Sequence, residues 1–569
     1  MMCLCLSCPD SPRCRDRFAS TASGRETGII ERGPSSAWRA RRWRGVFGWT
    51  CAGLALFAVY LQISLGGRID SDGANSALQA WDLIHGHLLL RGWVFGDATY
   101  YSFDLPVNGL TQAILGLGPL AAHVTSALVY FIVTACAVAL AVAGSRGAAR
   151  VARGAVTVAV LAVPLLTMNT LWTLMEEPDH PGTSVFMLAC ALLLDRLPDL
   201  PGPRPVSGRW VPPVVCVILA AGELGDATVT YVAVPAIALT CAYRILAGRR
   251  RWSGDAAVLL AAMASVPLEV LIRALISLLG GYQMVAPRTG LAWPVRWPGH
   301  AMAVWSDIRQ LYGAVAGPDT ALGVAGMALG LICLLAAIAG LGKAACGWRR
   351  ATRAEQAVVA IIVINLGVYI VSQVPLADGA REIAAVLPCG AVLAARALVP
   401  GQLTRRVPAL AAVVACGLIA LLPLAAAAVR PHVGPATGPA PDDRQHAQTA
   451  PLTAWLEGHG ITYGIGSYWD SSVVTLQSGG RVAIRTVDIG PKPDRTGLRA
   501  YVRGWEMNTL WYSPARHDAR WAIADAKHDR YSVHTFETIF GKPQAMYRVG
   551  GWVVLKYRAN LLTQIGPVA

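Results

Sequence analysis

Long apolar runs, separated by short polar segments, fill most of the chain between residues 46 and 429. Eleven such runs occur, at residues 46–65, 121–143, 155–171, from about 183, 211–221, 227–246, 255–279, 321–341, 357–374, 383–398 and 407–429. Since roughly 20 apolar residues cross the hydrocarbon core as a helix, the pattern predicts a polytopic α-helical membrane protein with about 11 transmembrane helices. The fifth run is short enough to be tilted or partly re-entrant.

Basic residues mark one side of this pattern. Arg39, Arg41, Arg42 and Arg44 precede the first run, and further Arg and Lys clusters follow alternate runs. Cytoplasmic loops carry an excess of Lys and Arg, so we expect a bacterial plasma-membrane protein with a cytoplasmic N-terminus. Many acidic loop residues then share the external face: Asp70, Asp72, Glu176, Glu177, Asp179, Glu223, Asp226, Asp378 and Glu382. We expect the chemistry on that face.

The most polar interruption of the apolar pattern is the predicted first external loop, residues 67–120, called the first loop below. It opens with Asp70 and Asp72 and later meets a third carboxylate, Asp104. Apolar side chains recur at spacings of three and four between residues 74 and 84. This spacing predicts a short amphipathic helix in the plane of the membrane interface. We therefore expect the first loop to be the catalytic one.

The composition changes after the predicted transmembrane domain, residues 45–430. A linker rich in Pro and Gly, residues 431–450, leads into a mixed polar sequence at 451–569, where short helix and strand patterns alternate. We expect a small extracytoplasmic α/β domain there, since long domains cross the membrane regardless of their charge. Residues 1–36 contain no apolar segment of signal-peptide length. We expect residues 1–44 to be a disordered cytoplasmic tail, and an over-extended start codon is the alternative explanation for residues 1–36.

The aromatic residues of the C-terminal domain are open to two interpretations. They are Tyr468, Trp469, Trp505, Trp511, Tyr512 and Trp521. Aromatic side chains dominate the cores of small domains, and these six can fill such a core. They can also offer flat apolar faces to sugar rings, in which case the domain would dock over the first loop and close an acceptor cleft.

Composition and charge narrow the class of protein. Hydrophobic residues make up 54% and charged residues 15% of the 569 residues, a balance too apolar for an ordinary soluble enzyme. The net charge of +15 could point to nucleic acid, but the basic residues form short clusters between apolar runs, as cytoplasmic loops do. We therefore expect the lipid bilayer as a partner and no nucleic acid.

Asp70 and Asp72 are the candidate catalytic residues. A carboxylate at the lip of a partly desolvated cleft can take a proton from a hydroxyl nucleophile. The same residues, and Ser71 between them, are also favoured helix N-caps worth about 1 kcal/mol. The sequence leaves open whether Asp72 is a base or a cap, and which of the two carboxylates would be the base.

Other polar residues of the predicted external loops are candidate substrate-binding groups. They are Asp104, Glu177, Asp179, His180, Asp226 and Arg381. Carboxylates beside an imidazole, as at residues 176–180, can hold a divalent cation, although a solvated loop can have the same composition. Arg381 can bind phosphate through its planar guanidinium, whereas Asp226 can simply cap the sixth helix. No cofactor is certain, and a divalent cation stays open.

Several short motifs resemble one family. An Asp-x-Asp start to the first loop, an Ala-rich helix with a Gly and a later aromatic-Pro segment are similar to GT-C glycosyltransferases of the protein-mannosyltransferase-like group. The residues that carry this likeness are Asp70, Asp72, Ala80, Gly86, Asp97, Tyr100, Tyr101 and Pro106. The segments DHPGT at 179–183, GELGDATVTYVAVP at 222–235 and GIGSYWDSSVVTLQSGGRVAI from Gly464 also resemble this group. The chain lacks the Asp-Glu pair and the His-Pro-Pro type segment of better-known members.

The resemblance implies an integral membrane enzyme that transfers a sugar from a polyprenyl-phosphate donor to a hydroxyl acceptor on the external face, with inversion. Asp72 is then the base. Asp70 or the segment 176–180 would help to position the acceptor or a cation, and Arg381 would balance the lipid phosphate. The alternative is a non-catalytic scaffold or transporter of lipid-linked cell-envelope glycans, although we find no internal repeat of the kind that transporters carry.

Overall fold

The computed structural model describes residues 36–67, 69–167, 173–175, 180–197, 209–247, 254–285, 290–315, 321–373, 379–400, 449–525 and 529–567. The predicted run at 407–429 and nearly all of the linker at 431–450 lie outside these residues, as does most of the predicted tail. Only the last part of the predicted tail, from Ser36, is described, and it belongs to the first helix.

The part of the chain before residue 400 is helical. In chain order its described helices are α1 (Ser36–Ser64), α2 (Ser71–Ile84), α3 (Asp104–Leu115), α4 (Pro119–Val142), α5 (Gly147–Ala162), α6 (Thr183–Leu194), α7 (Val211–Gly225), α8 (Val234–Leu246), α9 (Gly254–Leu278), α10 (Trp297–Leu311), α11 (Ala321–Cys346), α12 (Arg353–Val371), α13 (Gly379–Glu382) and α14 (Val386–Leu398). Two short strands lie between these helices, β1 (Trp93–Phe95) and β2 (Gln283–Met284).

Seven helical segments among the described residues are long and apolar enough to cross a membrane. They are Phe47–Ser64, Pro119–Val142, Gly147–Leu165, Val229–Leu246, Gly254–Leu278, Gly323–Cys346 and Arg353–Val371. Three shorter apolar helices accompany them: Thr183–Leu194, Val211–Gly225 and Val386–Leu398. These segments coincide with the first ten predicted runs, and their facing sides form one apolar core of mostly aliphatic and small residues. The structure therefore has the polytopic helical fold that the apolar pattern predicts.

The junction between the fifth and sixth runs is almost entirely helical. Helix α7 continues through the segment GELGD to Gly225, and only Asp226 is extended before the helix resumes and passes into a π-helical turn. Gly225 permits a close approach, since a Cβ there would lie 2.6 Å from the hydroxyl oxygen of Ser102. The turn is thus shaped by packing against the first loop.

The short helix predicted in the first loop is α2, and protein covers most of it. Its polar residues Asn75 and Gln79 are 0% and 2% exposed. Their polar face is covered by the C-terminal domain, where the hydroxyl of Ser472 donates a 2.9 Å hydrogen bond to Asn75 Oδ1. Buried polar groups need such partners, so the polar face of α2 packs against a distant part of the chain.

The C-terminal region forms an α/β domain. Its helices are α15 (Thr449–Gly458), α16 (Tyr468–Gln477) and α17 (Val533–Phe540), and its strands are β3 (Tyr463–Gly466), β4 (Ala483–Pro491), β5 (Leu498–Val502), β6 (Met507–Asn508), β7 (Trp521–Asp525), β8 (Ala545–Val549) and β9 (Trp552–Lys556). Six strands form one sheet in the order β5-β4-β3-β7-β9-β8, with β3 parallel to both of its neighbours and the other pairs antiparallel. Two apolar clusters fill the domain.

A second, three-stranded sheet joins three distant parts of the chain. Strand β1 of the first loop lies in its centre, parallel to β2 on one side and antiparallel to β6 of the C-terminal domain on the other. The register pairs Trp93 with Asn508 and Val94 with Met507. Because backbone hydrogen bonds fix this register, the C-terminal domain is held against the first loop.

Candidate active site

Asp70 caps helix α2. Its backbone is extended, and its Oδ1 accepts a 2.9 Å hydrogen bond from the backbone N–H of Gly73. Such a cap satisfies one of the N–H groups that the first turn of a helix leaves unpaired. The structure gives the capping role to Asp70, so Asp72 remains the candidate base.

Asp72 faces the C-terminal domain. The hydroxyl of Tyr468, the first residue of α16, donates a hydrogen bond to Asp72 Oδ1. The neighbouring Ser71 hydroxyl donates to the backbone carbonyl of Tyr468 at 2.6 Å. Asp72 itself is half-buried, so its carboxylate is oriented by the protein and partly removed from water, as a general base requires.

A buried cation lies behind Tyr468. The guanidinium carbon of Arg503 lies 3.7 Å from the centroid of the Tyr468 ring and 4.0 Å from the ring centroid of Trp505. Its Nη1 lies 3.4 Å from Asp488 Oδ1. A desolvated cation over an aromatic face is worth roughly 1–2 kcal/mol, and this stacking fixes the ring of Tyr468 beside Asp72.

Glu506 reaches from the C-terminal domain into the first loop. Its Oε2 accepts a 2.8 Å hydrogen bond from Gln79 Nε2, and its Oε1 accepts one of 3.1 Å from the backbone N–H of Gly96. Burial raises the pKa of Glu506 to about 7, although both hydrogen bonds lower it. The φ of Glu506 is +51°, a left-handed conformation that costs roughly 1–2 kcal/mol in a residue with a Cβ. The hydrogen bonds from Gln79 and Gly96 hold Glu506 in this conformation.

A second polar group, the His180 cluster, comprises His180, Thr183, Asp226 and Glu382. His180 Nδ1 lies 2.7 Å from Asp226 Oδ2, and its Nε2 lies 3.4 Å from Glu382 Oε2. The hydroxyl of Thr183 and the backbone N–H of Thr228 also donate to Asp226, at 2.5 Å and 2.7 Å. Burial alone would raise the pKa of Asp226, but His180 and these donors lower it to about 2. Asp226 is therefore a buried carboxylate, not merely a helix cap.

Asp97 lies at the open side of the His180 cluster. Its side chain reaches solvent, yet the surrounding protein desolvates it enough to raise its pKa. The charge of His180 opposes this rise, whereas Glu382 and Asp226 add to it. The backbone places Asp97 there, because Ala98 forms a bridge to Asp226.

Asp104 lies against the turn that carries His180. It is 2% exposed, at the first position of α3. Its carboxylate fills the space beside Gly182, where a Cβ would lie 2.1 Å from Asp104 Oδ1. Asp104 therefore lies beside Gly182, two residues after His180, which pairs with Asp226.

The remaining candidate residues divide into two sets. Arg381 is half-buried in α13, next to Glu382 of the His180 cluster. Glu177 and Asp179 lie outside the described residues. Within the described ranges, no group of three or more His, Cys, Asp or Glu side chains is arranged to hold a metal ion.

Gly96 connects the two parts of the site. Its N–H is bound by Glu506, and a Cβ built on it would lie 3.7 Å from Cε3 of Trp505. The next residue is Asp97, whose charge is coupled to that of Glu506. Contacts thus link the helix that carries Asp72, through Glu506 and Gly96, to Asp97 beside the His180 cluster.

Comparison with known proteins identifies the fold. No protein-family model and no curated protein matches the sequence. The apo crystal structure of ArnT from Cupriavidus metallidurans matches with a TM-score of 0.54 and 12% identity, covering 92% of this chain and 100% of ArnT. The structure of the same ArnT bound to undecaprenyl phosphate matches with a TM-score of 0.53 and 13% identity, covering 91% and 99%. ArnT is a GT-C glycosyltransferase. The chain has a GT-C-like fold.

The GT-C fold confirms the resemblance that the short motifs indicate and the membrane-helix architecture that the apolar runs predict. The likeness to ArnT extends through the C-terminal domain, because it covers nearly the whole of both chains. At 12–13% identity it defines the fold and no substrate.

The sequence assigned no role to three residues of the site in the C-terminal domain. Glu506 and Arg503 carry no motif, and Tyr468 appeared only among the six aromatic residues and within the segment that begins at Gly464. Two of the three contact a residue about 400 positions away: Tyr468 contacts Asp72, and Glu506 contacts Gln79. Arg503 acts through Tyr468. The one available signal was the polar face of α2, whose Asn75 and Gln79 need buried partners.

Proposed function

We propose that this protein is an integral membrane glycosyltransferase that takes one sugar from a polyprenyl-phosphate donor and transfers it to a hydroxyl acceptor on the extracytoplasmic face, with inversion. The observation that carries the proposal is the GT-C fold, shared over 91% of the chain with an ArnT structure solved with undecaprenyl phosphate. A second support is Asp72, a partly desolvated carboxylate that its neighbours orient.

The reaction is a single displacement. The acceptor oxygen forms a bond to the anomeric carbon while the bond from that carbon to the phosphate oxygen breaks. The electron pair of the broken bond leaves with the polyprenyl phosphate, and the proton of the acceptor hydroxyl passes to Asp72. Attack from the face opposite the leaving phosphate inverts the configuration. General-base help of this kind contributes about 10²- to 10⁴-fold to the rate.

The other polar residues have supporting roles in this proposal. Arg381, beside the His180 cluster, balances the charge of the lipid phosphate through its planar guanidinium. Asp104 and Asp226 hold the turn at His180, which shapes the part of the cleft nearest α13. Glu177 and Asp179 are proposed to face substrate from the same turn.

An external location suits a lipid-linked donor. Nucleotide sugars are confined to the cytoplasm, whereas a polyprenyl phosphate carries its sugar within the membrane. The basic clusters on alternate loops support an external first loop and an external C-terminal domain. We therefore propose a multi-pass plasma-membrane protein with its cleft on the outer side.

The test uses a strain without this protein as the source of donor, because an unused lipid-linked sugar accumulates there. Its lipid extract, labelled with radioactive sugar, is incubated with membranes that contain the full-length protein and with membranes that lack it. We expect label to move from lipid to a water-soluble or cell-wall acceptor only with the protein, with inverted anomeric configuration. If no lipid-linked sugar is bound or turned over, the transferase proposal fails and the scaffold alternative gains. Retained configuration would contradict the single displacement.

A further inference from the structure

Three aromatic side chains of the C-terminal domain form what we call the aromatic platform: Tyr468, Trp469 and Trp505. Their ring centroids lie 5.2 Å apart for Tyr468 and Trp469, and 5.7 Å apart for Tyr468 and Trp505. Trp469 is 38% exposed and Trp505 is 41% exposed. Two indole side chains are thus partly exposed to solvent beside a buried tyrosine, and Arg503 covers one face of the Trp505 ring.

The platform is not part of the domain's core. That core is filled by other side chains, including Tyr512 and Trp552, which are 8% and 2% exposed, while Trp511 and Trp521 pack against it. Of the six aromatic residues considered in the sequence, Trp511, Tyr512 and Trp521 therefore belong to the core or pack against it. Trp469 and Trp505 do not. Clustered exposed apolar side chains on a folded domain mark a binding surface.

The platform stands at the candidate base. Tyr468 donates its hydroxyl to Asp72, and the edge of the Trp505 ring lies over Gly96, next to Asp97. A molecule that rests on Trp469 and Trp505 would therefore have the carboxylates of Asp72 and Asp97 near the edge of the platform. Glu506, which follows Trp505, ties this arrangement to the first loop.

The surroundings of the platform favour a sugar ring over a phosphate or an acyl chain. The described cation that touches the platform, Arg503, is buried, stacked on Tyr468 and Trp505 and paired with Asp488, so its charge is already balanced. An acyl chain would meet the carboxylates at the rim. A pyranose presents an apolar C–H face to an indole while its edge hydroxyls hydrogen-bond to carboxylates, so it matches both features.

We propose that Trp469 and Trp505 form a subsite for a pyranose ring of the acceptor, which makes the acceptor of this enzyme a glycan or glycoside. This inference rests on the proposed transferase function. The donor is held at the membrane by its polyprenyl chain, whereas the platform belongs to the C-terminal domain, so the ring on the platform is that of the acceptor. Its hydroxyl then points toward Asp72.

The test measures sugar binding without donor, using the full-length protein in lipid nanodiscs. The probes are methyl α-D-mannopyranoside, methyl β-D-glucopyranoside and methyl β-D-galactopyranoside, observed by saturation-transfer NMR. We expect at least one of them to bind through the protons of one ring face. Trp469→Ala and Trp505→Ala should weaken that binding by about tenfold or more, as truncation of an aromatic anchor does.

Two further variants separate stacking from folding. Trp505→Phe keeps a flat ring and should bind within about threefold of wild type, whereas Trp505→Leu should lose binding as Trp505→Ala does. The control is Tyr547→Ala, a similarly exposed aromatic residue on β8, which should bind normally. If the alanine variants fail to fold, the comparison of phenylalanine with leucine decides.

Several results would overturn the proposal. Binding of none of the three pyranosides would do so, as would wild-type binding by both Trp505→Ala and Trp469→Ala, or equal binding by Trp505→Phe and Trp505→Leu. Saturation transfer from these tryptophans to lipid acyl protons, with none to sugar protons, would show that the platform contacts the membrane and not a sugar. This binding test contains no donor, so its result is independent of the transfer assay described above. Sugar binding by a protein that shows no transfer in that assay would count against the enzyme proposal only. Transfer by a protein that binds no sugar on the platform would count against the subsite only.

Discussion

The side-chain amide of Gln79 donates a 2.8 Å hydrogen bond to the carboxylate of Glu506, across 427 positions of sequence. The same carboxylate binds the backbone N–H of Gly96. One residue of the C-terminal domain thus holds both the helix that begins at the candidate base and the strand end that leads to Asp97.

This contact makes the stability of the folded protein depend on pH. The pKa of Glu506 is raised by burial from 4.5 to about 7, so the folded protein binds a proton that the unfolded chain has released between these values. Stability therefore falls as pH rises through this window, by about 1–3 kcal/mol in total. We expect the thermal unfolding midpoint to be lower at pH 8 than at pH 5. In Glu506→Gln this component should vanish, and an unchanged pH dependence in that variant would contradict the assignment.

Gly182 should be intolerant of a side chain because of Asp104. A Cβ at residue 182 would lie 2.1 Å from Asp104 Oδ1, so Gly182→Ala should displace the carboxylate or strain the turn at a cost of about 1–3 kcal/mol. The double variant Gly182→Ala with Asp104→Ala should recover part of this loss, measured as the thermal unfolding midpoint. Additive effects of the two changes would contradict the contact. The matched control is Gly299→Ala, where a Cβ meets nothing within 4 Å.

Asp226 should stabilise the His180 cluster through its charge. Its pKa of about 2 lies below the ordinary value of 3.8, so its contribution is present above that ordinary value and is lost as pH falls toward 2. Asp226→Asn removes the charge that faces His180 and should destabilise the protein by about 1–3 kcal/mol at pH 7. Asp518→Asn, at an exposed pair with Arg520, should change stability by less than about 0.5 kcal/mol. Equal stability of the two variants would remove the argument for a charged, buried Asp226.

The proposed topology can be read with reporter fusions. Alkaline phosphatase, which is active only outside the cytoplasm, is fused after Thr449, and a cytoplasmic fluorescent reporter is fused at the same residue. We expect an active phosphatase and a dark fluorescent reporter, because the basic clusters retain alternate loops inside. The reverse pattern would place the cleft on the cytoplasmic side and remove the reason for a lipid-linked donor.

The sequence predicted those features whose cause is local. Apolar runs alone place the described membrane helices, because a helix must bury its backbone polar groups within itself in lipid. The α/β character of the C-terminal domain also follows from local pattern, because short helix and strand patterns alternate there. The contacts of Asp72 and Gln79 do not, since their partners lie about 400 residues away and come together only through the sheet that pairs β1 with β6.

The central claim is that Asp72 is the base and Asp70 is the cap. Asp70→Asn, which retains a favoured capping residue, should transfer sugar from the lipid-linked donor within about threefold of wild type. Asp72→Asn should lower the transfer rate by about 10²- to 10⁴-fold at an unchanged protein level and unchanged donor binding. The measurement that tests this most directly is the rate of label transfer by these two variants, compared side by side in membranes. Full activity of Asp72→Asn, or loss of activity in Asp70→Asn alone, would contradict the account.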